Sequence, residues 1–110
     1  MQFPKSIPAL LFKIISIEQW EESKNYPEVP LGAFDRAFIH LATAEQLDKI
    51  AVKFWHHVPA YMLLTLASDR LPGKLEYEVN PGGNTRYYHL YEGSIPHSAI
   101  VEARPVKQLH

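Results

Sequence analysis

Residues Ala37 to Gln46 read AFIHLATAEQ, and within them the sequence changes from the pattern of a strand to that of a helix. AFIHL, Ala37 to Leu41, is apolar and β-prone enough for a buried strand, with His40 as its one polar side chain. Thr43 and Gln46 then stand at the capping-box spacing, at which two side chains satisfy backbone N–H groups at a helix start. Leu47, Ile50, Ala51 and Phe54 follow at helical intervals and give that helix one apolar stripe, which Pro59 closes. A strand running straight into an amphipathic helix is expected.

The same pattern occurs upstream. ALLFKIIS, Ala9 to Ser16, reads as a first strand bounded by Pro8 and long enough to lie centrally in a sheet. Ser16 and Gln19 repeat the capping-box spacing before a short helix ending near Asn25, with Ile17 and Trp20 on its apolar face. Tyr26 to Asp35, with Pro27, Pro30 and Gly32, reads as a loop.

Downstream, YMLLTLA, Tyr61 to Ala67, is the most apolar strand of the chain and belongs in the middle of a sheet. A turn at Leu71-Pro72-Gly73 precedes KLEYEV, where Leu75, Tyr77 and Val79 alternate with Lys74, Glu76 and Glu78, so Glu78 falls on a polar face. Asn80 to Gly83, NPGG, is turn chemistry before YYHLY, a strand that sets Tyr87, His89 and Tyr91 on one face. Ser98 to Val106 reads as the last strand, with Pro105 placing its end at an edge.

The 110 residues suffice for one domain with one core, so residues 1–110 are read as a single unit. A formal charge of −1 and the absence of any long run of like charge disfavour nucleic acid and anionic membranes as partners. Without cysteine there is no disulfide, thiolate nucleophile or zinc-thiolate site, which is compatible with a reducing, cytoplasmic setting. Ile7 to Ile17 is too short and too interrupted for a membrane span and lacks a cleavage signature.

The chemistry-bearing residues are His40 and His89, each on a strand. Two imidazoles facing one hollow can orient a ribose hydroxyl or exchange a proton, and Glu78 adds a charge able to stabilise an oxocarbenium-like state. The same residues also fit a structural role, as histidines with satisfied hydrogen bonds and a solvated glutamate. Thr43 is foremost a helix cap, though a helix start beside His40 also offers backbone donors. His56 and His57 are adjacent on a helix, so they diverge and do not share a metal; His97 and His110 have no ligand spacing around them, and no metal site is expected.

LFKIISIEQWEES, FIHLATAEQ, LEYE and YYHLY occur here in the order found in the family of unknown function numbered 952, which the chain resembles from about Leu11 to Val106. The resemblance implies an α+β fold with a small ADP-ribosyltransferase-like split β-sheet core and two helices. It also implies a cleft for a small-molecule nucleotide, with NAD as substrate rather than as a resident cofactor. Its polar positions fall on His40, Thr43, Glu78, His89 and Tyr91. His40, Glu78 and His89 are then the expected catalytic residues of an ADP-ribosyl-transfer or NAD-glycosidic reaction, and His40, Thr43, His89 and Tyr91 the expected ligand contacts. The chain departs from the family at Arg36-Ala37, where Asp-Gly is usual, at Ala42, where Ser is usual, and at Tyr87-Tyr88, where Phe-Pro is usual. The alternative expectation is a non-catalytic binding module for a small molecule or a protein on the same fold.

Overall fold

The computed structural model describes residues 6–108. In chain order it contains β1 (Leu10–Ile15), α1 (Ile17–Ser23), β2 (Ile39–His40), α2 (Leu47–Phe54), β3 (Ala60–Ala67), β4 (Lys74–Val79), β5 (Arg86–Tyr91) and β6 (Ile100–Lys107). The strands form two antiparallel sheets, in the orders β1-β3-β6 and β2-β5-β4. This is an α+β protein whose β structure is split into two halves.

Alternation along β3 explains why that strand is apolar at nearly every position. Met62, Leu64 and Leu66 join Leu11 and Ile15 of β1 and Ile39, Tyr88 and Leu90 of the second sheet in the main core. Tyr61 and Leu63 face the other way with Ile14 and receive Leu47, Ile50 and Trp55 from α2 and its C-terminal end. Both faces of the first sheet are therefore covered, a setting that selects a continuous apolar strand over an alternating one.

Both capping boxes form. Ser16 Oγ accepts the Gln19 N–H at 2.9 Å while Gln19 Oε1 accepts the Ser16 N–H at 3.1 Å. At the second helix, Gln46 Oε1 accepts the Thr43 N–H at 3.0 Å, and a 3-10 turn, Ala44–Gln46, leads into α2. In the turn before β5, Gly82 adopts φ 80°, the left-handed backbone that its missing Cβ permits.

Several sequence expectations are revised. The strand expected over Ala37–Leu41 pairs as a ladder only at Ile39–His40, because the chain must turn at Asp35 and leave again at Ala42. Helix α1 stops at Ser23, capped by Lys24, rather than near Asn25. The expected loop Tyr26–Asp35 holds a bridge from Glu28 to Pro96 and a 3-10 turn at Ala33–Asp35. β1 is an edge of its own sheet rather than a central strand, while β6 carries Pro105 on an edge as expected. His56 and His57 follow α2 instead of ending it, and His110 lies outside the described residues.

Beyond the shared core, the backbones of the two halves pair at one bridge among the described residues. Phe12 and Ala42 exchange backbone hydrogen bonds of 2.8 and 2.9 Å, linking β1 to the segment just after β2, and from there the two chains diverge. Among the described residues, no helix is long and apolar enough to cross a membrane.

If β3 is the structural centre, Leu64→Ala will lower unfolding free energy by about 2–5 kcal/mol through loss of burial and cavity formation. Val52→Ala, on the exposed side of α2, will change it by less than about 0.5 kcal/mol. Equilibrium denaturant unfolding of both variants checks the contrast.

Candidate functional site

The divergence of β1 from β2 creates a local problem that charged side chains solve. In an antiparallel strand successive residues direct their N–H and C=O groups to opposite edges. The Leu41 N–H is given to Tyr88 of β5, so the backbone groups of His40 point toward β1, which has already turned away. Asp35 Oδ1 accepts the His40 N–H at 3.0 Å, and Lys13 Nζ donates to the His40 carbonyl at 2.9 Å. The two charges also pair with each other at 3.1 Å, with side chains only 8% and 10% exposed.

Asp35 Oδ1 makes a further 3.0 Å contact with Nδ1 of the His40 ring. Burial alone would raise the Asp35 pKa. The His40 hydrogen bonds and the Lys13 charge outweigh it and hold the carboxyl below its ordinary 3.8. Burial pushes Lys13 below its usual value, against the opposing pull of Asp35. An ionised carboxylate only accepts, so Nδ1 carries a proton, and in the neutral ring Nε2 is left with its lone pair.

Beside this triad lies a cleft of about 360 Å³. Its apolar wall comes from Phe12 and Ile14 of β1 and from Ile50, Phe54 and Trp55 under and after α2; its polar end is made by Lys13, Asp35, His40 and Asn80. Phe34 stacks on the His40 ring at 4.4 Å and Phe38 tilts against it at 4.7 Å, so the imidazole is held between two aromatic rings.

A second polar cluster lies next to the first on the same face of sheet two. His40 and His89 are register partners, with ring centroids 5.4 Å apart. His89 is fully buried beneath Phe38, which stacks on it at 4.1 Å. Its Nδ1 meets Glu78 Oε1 at 2.9 Å and its Nε2 meets Asn80 Oδ1 at 2.8 Å. The Tyr91 hydroxyl donates to the same Glu78 oxygen. Tyr91 and then His89 thereby hold Glu78 below the usual carboxylate range, and the bond to Glu78 pushes Tyr91 up.

The structure thus gathers His40, Glu78, His89 and Tyr91 on one side of β2, β5 and β4, but of these His40 alone lines the cleft. His89 has both ring nitrogens engaged. Thr43 serves the helix cap, and His97 meets the Ser23 carbonyl at 2.8 Å, far from the cluster in function. Sequence reasoning missed Asp35, Lys13 and Asn80. Lys13 gave a usable signal: a lysine inside the apolar run LLFKII must be buried, and a buried ammonium requires a partner. Asp35, sitting in a Pro/Gly-interrupted loop, gave none. Among the described residues, no group of three or more His, Asp and Glu side chains is placed to hold a metal ion.

A small α+β protein, split into two antiparallel sheets with a polar triad at the junction, is the class that fold and site define. Residues 14–103 match the family described as Protein of unknown function (DUF952), and the chain belongs to that family. Its fold is similar to that of protein CC0527 from Caulobacter crescentus. The X-ray structure of that protein is 27% identical, with a TM-score of 0.78, covering 91% of this chain and 88% of that one. The solution NMR structure of CC0527 is 28% identical, with a TM-score of 0.79 over 93% and 88% of the two chains. No curated protein matches the chain.

Replacing Asp35 with Asn strands the Lys13 charge in the interior and will destabilise the fold by about 3–5 kcal/mol; the neutral pair Lys13→Met/Asp35→Asn will recover part of that loss. Denaturant unfolding of the single and double variants measures both. Because the folded pKa of Asp35 is depressed, its contribution is fully present above pH 3.8 and is lost as pH falls through the lower folded value. Acid titration of stability should accordingly show, in the native protein, a component absent from the double variant.

Proposed function

We propose that the cleft binds a nucleotide-class small molecule, NAD or a relative, by its ring-and-ribose portion. The observation that supports this most is the division of the cleft into an aromatic and aliphatic wall and one polar end that carries an acceptor-bearing imidazole and a carboxylate. A planar base packs on the Phe12 and Trp55 side, and ribose hydroxyls meet His40 and Asp35. The volume of about 360 Å³ is at the small end of the range for ligand pockets, so it suits one nucleoside-sized half of a dinucleotide, the remainder lying outside.

In the reactive form of this reading, the protein carries out ADP-ribosyl transfer or cleaves the glycosidic bond of NAD, the chemistry expected of an ADP-ribosyltransferase-like fold. Glu78 then faces the developing oxocarbenium ion, and His89 and Tyr91 position Glu78. A second reading is favoured by a specific observation: Glu78 is occupied by His89 and Tyr91 and does not line the cleft, an arrangement suited to binding without transfer.

Titrating NAD into the purified protein will raise its melting temperature in a saturable way, by the equivalent of about 1.4 kcal/mol at ten times Kd. Release of nicotinamide, abolished by Glu78→Gln, supports the transfer reading. Binding without release supports the second. No melting shift and no release at millimolar NAD would remove the nucleotide assignment.

A further inference from the structure

The Asp35–His40 pair has the form of the carboxylate–imidazole half of a hydrolytic triad, and the rest of the cleft bears on what it does. Nδ1 is committed to Asp35. Nε2 makes no hydrogen bond within the described residues, and no buried side-chain nitrogen or oxygen there lacks a partner, so Nε2 is accessible on a ring that lines the cleft. Phe34 and Phe38 both pack against the ring. Asp35 is fixed in turn by Lys13, which is itself anchored on the His40 carbonyl. Among the described residues lining the cleft there is no serine, threonine or cysteine, and the Lys13 ammonium is held by Asp35 and the His40 carbonyl, which favours water over a side chain as the nucleophile an activated imidazole serves.

We propose that His40 is a catalytic general base of this cleft, oriented by Asp35 with Lys13 as a second positioning residue. It activates water to hydrolyse a small molecule whose electrophilic carbon carries an aromatic leaving group, as in an aryl ester or a pyridinium N-glycoside. The inference rests on the cleft being a small-molecule site, but not on the ligand being NAD. In the step, a water O–H bond breaks as its proton moves to Nε2, and the oxygen bonds to the electrophilic carbon. The bond to the leaving group breaks with its electron pair. An ester and water give an acid and a phenol; a pyridinium glycoside and water give a free sugar, a neutral pyridine base and a proton. Nothing is oxidised or reduced. Asp35 stabilises the imidazolium that forms, and the proton then passes to the leaving group or to solvent.

The probe is p-nitrophenyl acetate, whose aryl ring suits the apolar wall, with NAD added in a separate arm. The native protein is expected to release p-nitrophenol with saturation, and His40→Gln to lower kcat by about 100-fold while the exposed His56 and His57, retained in every variant, set the background. The neutral pair Lys13→Met/Asp35→Asn, which leaves no stranded buried charge, is expected to lower kcat at least tenfold per folded molecule, with the folded fraction fixed by denaturant unfolding of the same sample, and to displace the pH–kcat profile, which loss of folded protein would not move. Turnover no greater than that of His40→Gln, or kcat unaffected by either change, overturns the proposal. Competitive inhibition by NAD supports the nucleotide reading as well; Asp35-dependent turnover without inhibition by NAD keeps the general base and discards NAD as the ligand.

Discussion

The architecture turns on how a short strand is completed when its neighbour leaves. β1 and the segment after β2 pair at Phe12 and Ala42 and then separate, which exposes both backbone groups of His40 at the parting. Unpaired buried backbone groups are costly, and the fold closes the gap with side chains of opposite charge rather than with another strand. Asp35 takes the N–H and Lys13 the carbonyl, and the two neutralise one another. A salt bridge in such a place need not add net stability over an apolar filling. What it does here is place a carboxylate against an imidazole at the edge of a hollow, a result that hydrocarbon cannot give.

Two polar clusters share one sheet face, and their surroundings separate them. His89 is enclosed, with Phe38 above it and oxygen atoms at both ring nitrogens, so it ties β5 to β4 and the turn after β4 through Glu78 and Asn80. His40 is about a quarter exposed, at 23%, lines the cleft and has one ring nitrogen without a hydrogen bond among the described residues. Phe38 packs against both rings and Tyr91, so one aromatic side chain adjoins both clusters. The adjoining imidazoles thus differ in their bonding: His89 has both ring nitrogens engaged, whereas His40 has one.

Much of the fold could be read from local pattern. The two capping boxes, the apolar YMLLTLA strand, the turn at Gly82 and the Pro105 edge are each governed by short-range rules, and each formed where the spacing placed it. Alternation also put His40 and His89 on a common face. Register, by contrast, depends on contacts distant in sequence. Nothing local tells that β1 leaves β2 after one bridge, that Asp35 folds back on His40, or that Asn80 rather than a ligand meets His89. The length of β2 was overestimated for the same reason, since AFIHL has strand propensity throughout but pairs only where β5 reaches it. Lys13 was the legible clue to the junction, because its charge contradicts the apolar run around it.

The chemistry proposed for the cleft depends on the state of one ring. Long-range nitrogen–proton NMR correlation of the histidine side chains near neutral pH reports directly which nitrogen of His40 is protonated. Pairing with Asp35 requires the Nδ1–H tautomer, with a downfield Nδ1 proton lost when Asp35 is neutralised and an unprotonated Nε2. A ring found in the Nε2–H form, or averaging between tautomers like the exposed His56 and His57, would contradict it.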